Sequence, residues 1–317
     1  MKSHHFFLPR GITAREQCSK MLKTRFNDII RLVRQPDHAV AAGYMAAHWG
    51  NEEFTKLGFY DTCSEPEKLA TETIFGIAEH DNGWWEWEAS PSSSESDKLP
   101  LGLAEVLSNP TESTQRWRIG TTRFEDSHPY ASLLMNFHAY RLYNKIHEEE
   151  SSIHPLFGDS KSISNENSPQ AISLIETLRN QQERLKQRLD KLGGWHKDAI
   201  HPEILLPHAR MTQIMDALSL YLCSDFIPPI SGKAKGLGRD EVEIKHIPRK
   251  NWDDKVKLHI TPQDDGTLVC DPYPFDENNL VVPIVVTEIE NISQNEVSIM
   301  DLYKIPKKIV SFTFRRP

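Results

Sequence analysis

The sequence predicts an α+β fold, mainly α: a helical core over residues 36–225 and a small β-sheet built from the C-terminal part, 240–317, and one N-terminal strand. Three observations predict it. Apolar residues recur at helical spacing through several segments before Pro228. After Pro228 they alternate over short runs, as in Val242/Ile244, Val256/Leu258/Ile260 and Val310/Phe312/Phe314. One early segment, Asp28–Arg34 (DIIRLVR), alternates in the same way with Ile30 and Leu32 on one face, so it is expected to join the C-terminal sheet.

The elements follow in order. Asp28–Arg34 runs into Gln35-Pro36-Asp37-His38, where a proline and an acid suit a helix's first turn. An alanine-rich helix is expected from about Pro36 to Trp49. Ser64-Glu65-Pro66-Glu67 reads as a capping box, opening a helix whose stripe is Leu69, Ala70, Thr73, Ile74, Ile77 and Ala78. That helix is expected to end at His80-Asp81, with Gly83 as its terminator. Residues 90–100 are Ser/Pro-rich and read as an insertion. Ser127-His128-Pro129 starts a helix carrying Leu133, Leu134, Phe137, His138 and Leu142. Residues 148–169 are acidic and Ser/Asn-rich, a loop. Ala171, Ile175, Leu178, Gln182, Leu185, Leu189 and Leu192 form a coiled-coil-like seam on a helix from about Ser168, stopped by Gly193-Gly194 and expected to pack within the chain. A last helix covers about Pro202 to Cys223 and contains Pro207. The Gly/Lys loop Ser231–Arg239 lacks the spacing of a phosphate-binding loop and reads as a connection.

Composition narrows the function classes. The chain has 317 residues, with 38% hydrophobic and 26% charged, enough for one domain over 27–317 with a sizeable core. Residues 1–26 hold Lys2, Arg10, Arg15, Lys20, Lys23 and Arg25 against Glu16, and read as a loose extension. The net charge is −8 and no long Lys/Arg run appears, which argues against nucleic acid as a partner. No segment approaches the ~18 apolar residues of a membrane span. Cys18, Cys63, Cys223 and Cys270 are far apart, without a CxxC, as expected for reduced thiols of a cytoplasmic protein. The expected partner is a small-molecule substrate.

The chemistry-bearing candidates are histidines and acids. His38 lies in a helix's first turn, His80-Asp81 at a helix end beside Trp84, Trp85 and Trp87, and His138 on an apolar helix. Asp216 stands in the apolar run Met211–Leu222, where a buried carboxylate needs a cation or several donors. Imidazole with carboxylate suits a divalent metal ion, which makes hydroxide available near neutral pH. Arg141, about one turn beyond His138, is placed to bind a substrate anion. Each residue also has a plainer reading: a core histidine with its hydrogen bonds made, a capping acid, or tryptophans that only pack. His48 points about 80° from His38 around their helix and is a weaker candidate. His4, His5, His147, His154 and His196 stand in polar surroundings and are set aside.

QPDHAVAAGYMAAHWGN (Gln35–Asn51), AEHDNGWWEWEASP (Ala78–Pro91), DSHPYASLLMNFHAYRLY (Asp126–Tyr143), MDALSLYLC (Met215–Cys223) and PFDENNLVVP (Pro274–Pro283) resemble the ordered motifs of the family called domain of unknown function 3891, over about Ile29–Pro317. That family name implies no activity. The order His, His-Asp, Asp also resembles the HD-domain superfamily of metal-dependent phosphohydrolases. This resemblance implies an HD-like helical core, with His38, His80, Asp81 and Asp216 as ligands of a divalent metal ion and Asp81 and Arg141 in catalysis. His138 would match the extra histidine of two-metal members. Their second extra histidine has no evident counterpart, and His208 lies about 80° around the helix from Asp216. The expectation is a metal-dependent hydrolase acting on a phosphoester. Its rivals are an HD-like di-iron oxygenase and a non-catalytic protein in which the same residues form a buried hydrogen-bond network.

Overall fold

The computed structural model describes residues 22–89, 91–92, 94, 99–102, 109–144, 153–157, 168–290 and 299–317. Its strands are β1 (Leu22–Phe26), β2 (Ile29–Val33), β3 (Val242–Pro248), β4 (Lys255–Pro262), β5 (Thr267–Asp271), β6 (Asn279–Glu290) and β7 (Lys308–Arg315). Its longer helices are α1 (Gln35–Ala47), α2 (Pro66–Ala78), α3 (Pro110–Arg123), α4 (Pro129–Tyr143), α5 (Pro169–Leu192) and α6 (Pro202–Cys223).

All seven strands form one curled mixed sheet in the order β1-β2-β6-β7-β5-β4-β3. Neighbours are antiparallel except β5 and β7, which run parallel. This corrects the expected architecture: the sheet is a layer of the fold and not a small addition to an HD-like helical core. The alternating runs showed each strand but not its partners, and pairing is a long-range property. β2 joins the sheet through β6, with Ile30 opposite Ile289. β1 takes Leu22–Phe26 out of the segment read as a loose extension; residues 1–21 lie outside the described ones.

β6 buries Leu280, Val282, Ile284 and Val286 and exposes the residues between them, so one face of the sheet packs on helices. α1 and α6 form that cover, with Met45, Ile214, Met215 and Leu218 in the shared core. Every residue of α6 from Pro207 to Cys223 is buried. A helix so enclosed carries its polar residues into the interior, where each needs a partner.

α1 starts directly after β2, so the sheet fixes where α1 begins. No side chain of Arg34 caps it; the Glu88 carboxylate accepts from Gln35 N–H instead, and Arg34 grips Asp37 through two bonds of 2.7 and 2.8 Å. Gly43 lets α1 cross α2 closely, since a Cβ there would lie 2.5 Å from Ala78 Cβ.

Several local expectations change. Ser64 makes no capping box: its hydroxyl and N–H both donate to Asp198, and α2 begins without a side-chain cap. Gly83 does not end α2 in a left-handed turn. It lies in a short 3₁₀ turn pressed on α3, where a Cβ would sit 2.0 Å from Arg116 O. α3 itself has no counterpart among the sequence expectations, because its first residues, PTESTQRWR, carry one large apolar side chain, Trp117. Asn109 caps it by accepting from Thr111 and Glu112 N–H. On α5 the buried stripe uses Leu174, while Leu192 is exposed. Trp84 and Trp87 pack with Leu101, and Trp85 lies under the Arg123 guanidinium. No described helix is long and apolar enough to cross a membrane.

Candidate metal centre

Three junctions bring the site together. The first turn of α1 supplies His38, the residues just past α2 supply His80 and Asp81, and the middle of α6 supplies Asp216 and Ser219. α4 adds His138, and the described segment 153–157 adds His154. All four histidines are buried, and Asp81 and Asp216 keep only slight exposure. Their rings stand edge to face in a row: His38–His80 at 5.2 Å, His80–His138 at 5.0 Å and His138–His154 at 5.5 Å between centroids.

The acceptors on the far side of two imidazoles fix their tautomers. His80 Nδ1 lies 2.8 Å from Ile77 O, a group that only accepts, so Nδ1 carries a proton. His38 Nδ1 lies 2.9 Å from Ser219 Oγ, whose own proton goes to Asp216 O at 2.8 Å, so His38 Nδ1 also donates. Both Nε2 atoms therefore turn inward, toward carboxylates. His38 Nε2 is 2.8 Å from Asp81 Oδ2; His80 Nε2 is 3.6 Å from the same oxygen and 3.3 Å from Asp216 Oδ1. Among the described residues, His80 Nε2 has no hydrogen-bond partner although it is fully buried.

A lone pair facing a carboxylate is repelled by it, so a proton or a metal ion must lie between them. Without a metal the proton takes that place. Burial lowers the His80 pKa, but Asp81 and Asp216 outweigh burial and raise it to about 9. Burial likewise works to raise the Asp216 pKa, and His154 and His80 hold it well below the ordinary carboxylate range. Burial pushes the His138 pKa down to about 3, although Asp216 Oδ2, 3.6 Å from its Nε2, works to raise it.

The spacings also fit an ion. Ligands about 2.1 Å from one metal stand about 3.0 Å apart at a right angle and about 3.4 Å apart at the tetrahedral angle. The N···O separations of 2.8, 3.3 and 3.6 Å around His38, His80, Asp81 and Asp216 fall around those values. Among the described residues, two sets could hold a metal ion, each with ligand atoms within 4.8 Å of one another: His38, His80 and Asp216, and His138, His154 and Asp216.

The structure thus gathers His38, His80, Asp81, His138 and Asp216 in one place. Arg141 is buried and donates to Gln213 Oε1 at 3.2 Å, one turn before Asp216 on α6. His208 is elsewhere: its Nε2 accepts from Gly58 N–H, and its Nδ1 meets Thr73 and Tyr130 hydroxyls. His48 is paired with Asp276 near the surface. His154 is the residue the sequence reading set aside, and it is buried 2.9 Å from Asp216 Oδ2. The signal was present: Ile153, Pro155, Leu156 and Phe157 make an apolar island in an acidic, Ser-rich stretch.

A pH dependence follows from the direction of the His80 shift. A metal must displace the His80 proton, so affinity is expected to rise about tenfold per pH unit until the pH reaches about 9, and then to level off. Competition with a chromophoric chelator across that range measures it.

Residues 21–291 match the family model described as a protein of unknown function, DUF3891. No curated protein and no solved structure matches the chain. The match takes in His38, the His80-Asp81 pair, His138, His154 and Asp216, stops short of β7, and carries no HD-domain assignment. The match spans most of the chain, which therefore belongs to the DUF3891 family of proteins of unknown function.

Proposed function

We propose that this protein is a metal-dependent hydrolase whose ion is held by His38 Nε2, His80 Nε2, Asp81 and Asp216. The observation that carries the reading is His80 Nε2, a buried imidazole nitrogen with no hydrogen bond among the described residues, aimed at two carboxylates. Outward donation by Nδ1 to a carbonyl or hydroxyl is how metal-bound histidines are oriented. A divalent ion in this set lowers the pKa of bound water and supplies a nucleophile. The ligands are all nitrogen and oxygen, a set that suits zinc, manganese, iron or cobalt. Arg141 is assigned to an anionic substrate group because it follows His138 by about one turn and points its guanidinium beside α6. A phosphoester is the substrate class this chemistry serves.

Metal analysis of protein purified without chelator tests the reading, together with hydrolysis of p-nitrophenyl phosphate and its bis-ester. The expected result is a bound divalent ion, with hydrolysis that chelation removes and metal restores. Asp81→Ala is expected to lower both ion content and hydrolysis at least about tenfold. Full metal stoichiometry in that variant, or no ion bound at saturating zinc, manganese, cobalt or iron, refutes the assignment. Bound iron with oxygen consumption and no hydrolysis assigns oxygenase chemistry to the same ligands.

A second reading has its own support. His38–Asp81 at 2.8 Å and His154–Asp216 at 2.9 Å are direct hydrogen bonds that partner those residues without an ion. On that reading the cluster is a buried network and the purified protein is metal-free.

A further inference from the structure

We infer that His154 is a positioning residue, and that the centre holds one ion and not two. The inference rests on the metal reading above. His138, His154 and Asp216 are close enough to hold a second ion, but the hydrogen bonds of His154 argue against ligation. Its Nδ1 lies 3.0 Å from the backbone N–H of Leu156, a group that only donates. Nδ1 must therefore accept, and the proton sits on Nε2. That proton points at Asp216 Oδ2, 2.9 Å away. A ring ligating through Nε2 would carry its proton on Nδ1, facing the Leu156 N–H.

The polarity of His154 is thus opposite to that of His38 and His80. Those two donate outward and turn a lone pair inward; His154 accepts from the backbone and donates inward. The effect falls on Asp216. One oxygen, Oδ2, receives the His154 proton, and the other, Oδ1, stays 3.3 Å from His80 Nε2. A carboxylate held this way presents one oxygen to the ion in a fixed orientation, which is what a hydrogen-bonded outer partner contributes to a metal ligand.

The His154 segment is itself clamped. Arg210, fully buried on α6, donates to Ile153 O at 2.7 Å, Lys245 O at 2.6 Å and His246 O at 3.2 Å. The last two carbonyls lie in a β3 bulge where the register against β4 shifts and His246 has φ of 57°. Ile153, His154, Arg210, Lys245 and His246 also line a groove of about 480 Å³. His154 lines this groove and also hydrogen-bonds Asp216.

The test uses His154→Gln and His154→Leu in the full chain, with manganese as the probe. Gln keeps an N–H able to reach Asp216 Oδ2; Leu fills a similar volume and has no donor. One manganese per chain is expected for the parent and both variants. Affinity is expected to fall about 10- to 100-fold in His154→Leu and only a few-fold in His154→Gln. The manganese electron paramagnetic resonance spectrum should remain that of an isolated ion. Two ions per chain in the parent, with a spin-coupled spectrum that both variants lose, overturns the inference and leaves the hydrolase reading standing. Equal loss in both variants, with stoichiometry unchanged, overturns the positioning role alone. No manganese bound by any of the three overturns the metal reading with it.

Discussion

Asp216→Asn is expected to abolish metal binding, and Asp216→Ala to destabilise the metal-free fold as well. Asp216 is the meeting point of the site: Oδ1 faces His80, Oδ2 faces His154 and His138, and its main-chain carbonyl takes the Ser219 proton that orders His38. Asparagine keeps the shape but removes the charge and replaces one acceptor with a donor. Turned toward His80 Nε2 or toward the His154 N–H, that donor meets either a lone pair or another proton. The ion then loses its one ligand on α6. Alanine leaves the buried His80 imidazolium short of a counter-charge, and breaking a buried pair in that way costs about 3–5 kcal/mol. Metal stoichiometry and urea denaturation read the two effects separately. The sign with pH is a further check on metal-free protein. Because the His80 pKa is raised in the folded state, its stabilising contribution is full below about pH 6.5 and is lost as the pH rises through about 9. Asp216→Ala should flatten that decline, and saturating metal should remove it.

Gly83→Ala is expected to destabilise the protein by about 3 kcal/mol, the upper part of the usual range for overpacking. The added methyl would meet Arg116 O at 2.0 Å, Arg116 C at 2.9 Å and Gly120 N at 3.1 Å. All three are backbone atoms of α3, so no side chain can swing aside. The strain must move α3 or the turn that carries Asn82 and Gly83, and Asp81 and His80 are the residues just before it. Metal affinity should therefore fall together with the denaturation midpoint. Gly193→Ala is the control: it lies at a positive φ with open space around it, so its cost is conformational and distant from the centre. Unchanged stability in Gly83→Ala would show that α3 does not press on this turn as the distances require.

The chain's own order of residues determined a good deal. The stripe on α2, the seam on α5 and the apolar run around Asp216 marked three helices, because burial of one face imposes a period that survives in the sequence. The same logic placed an acid in the interior, and with it the suspicion of a cation. His38, His80, Asp81 and His138 stood out because each sits at a helix start, a helix end or on a buried face, where a polar side chain has few reasons to be.

The tertiary structure decided the rest. A strand's alternation states which face is buried but not which strand lies beside it, so the single sheet linking β1 and β2 to β6 was not written locally. α3 is held by Gly83, Gly120 and Trp117 against its neighbours and not by an apolar stripe of its own, so its period is faint. His154 lies in a Ser-rich stretch whose composition suggests solvent, yet Arg210 fixes the adjacent carbonyl and the segment turns inward. Most of all, the proton positions depend on partners distant in sequence or hidden in the backbone: Ser219 for His38, Ile77 O for His80, Leu156 N–H for His154. Residue types fixed which groups have the chemistry to bind a metal. Only the fold decided which of their nitrogens face inward with a lone pair and which with a proton, because that choice is made by the group on the other side of each ring.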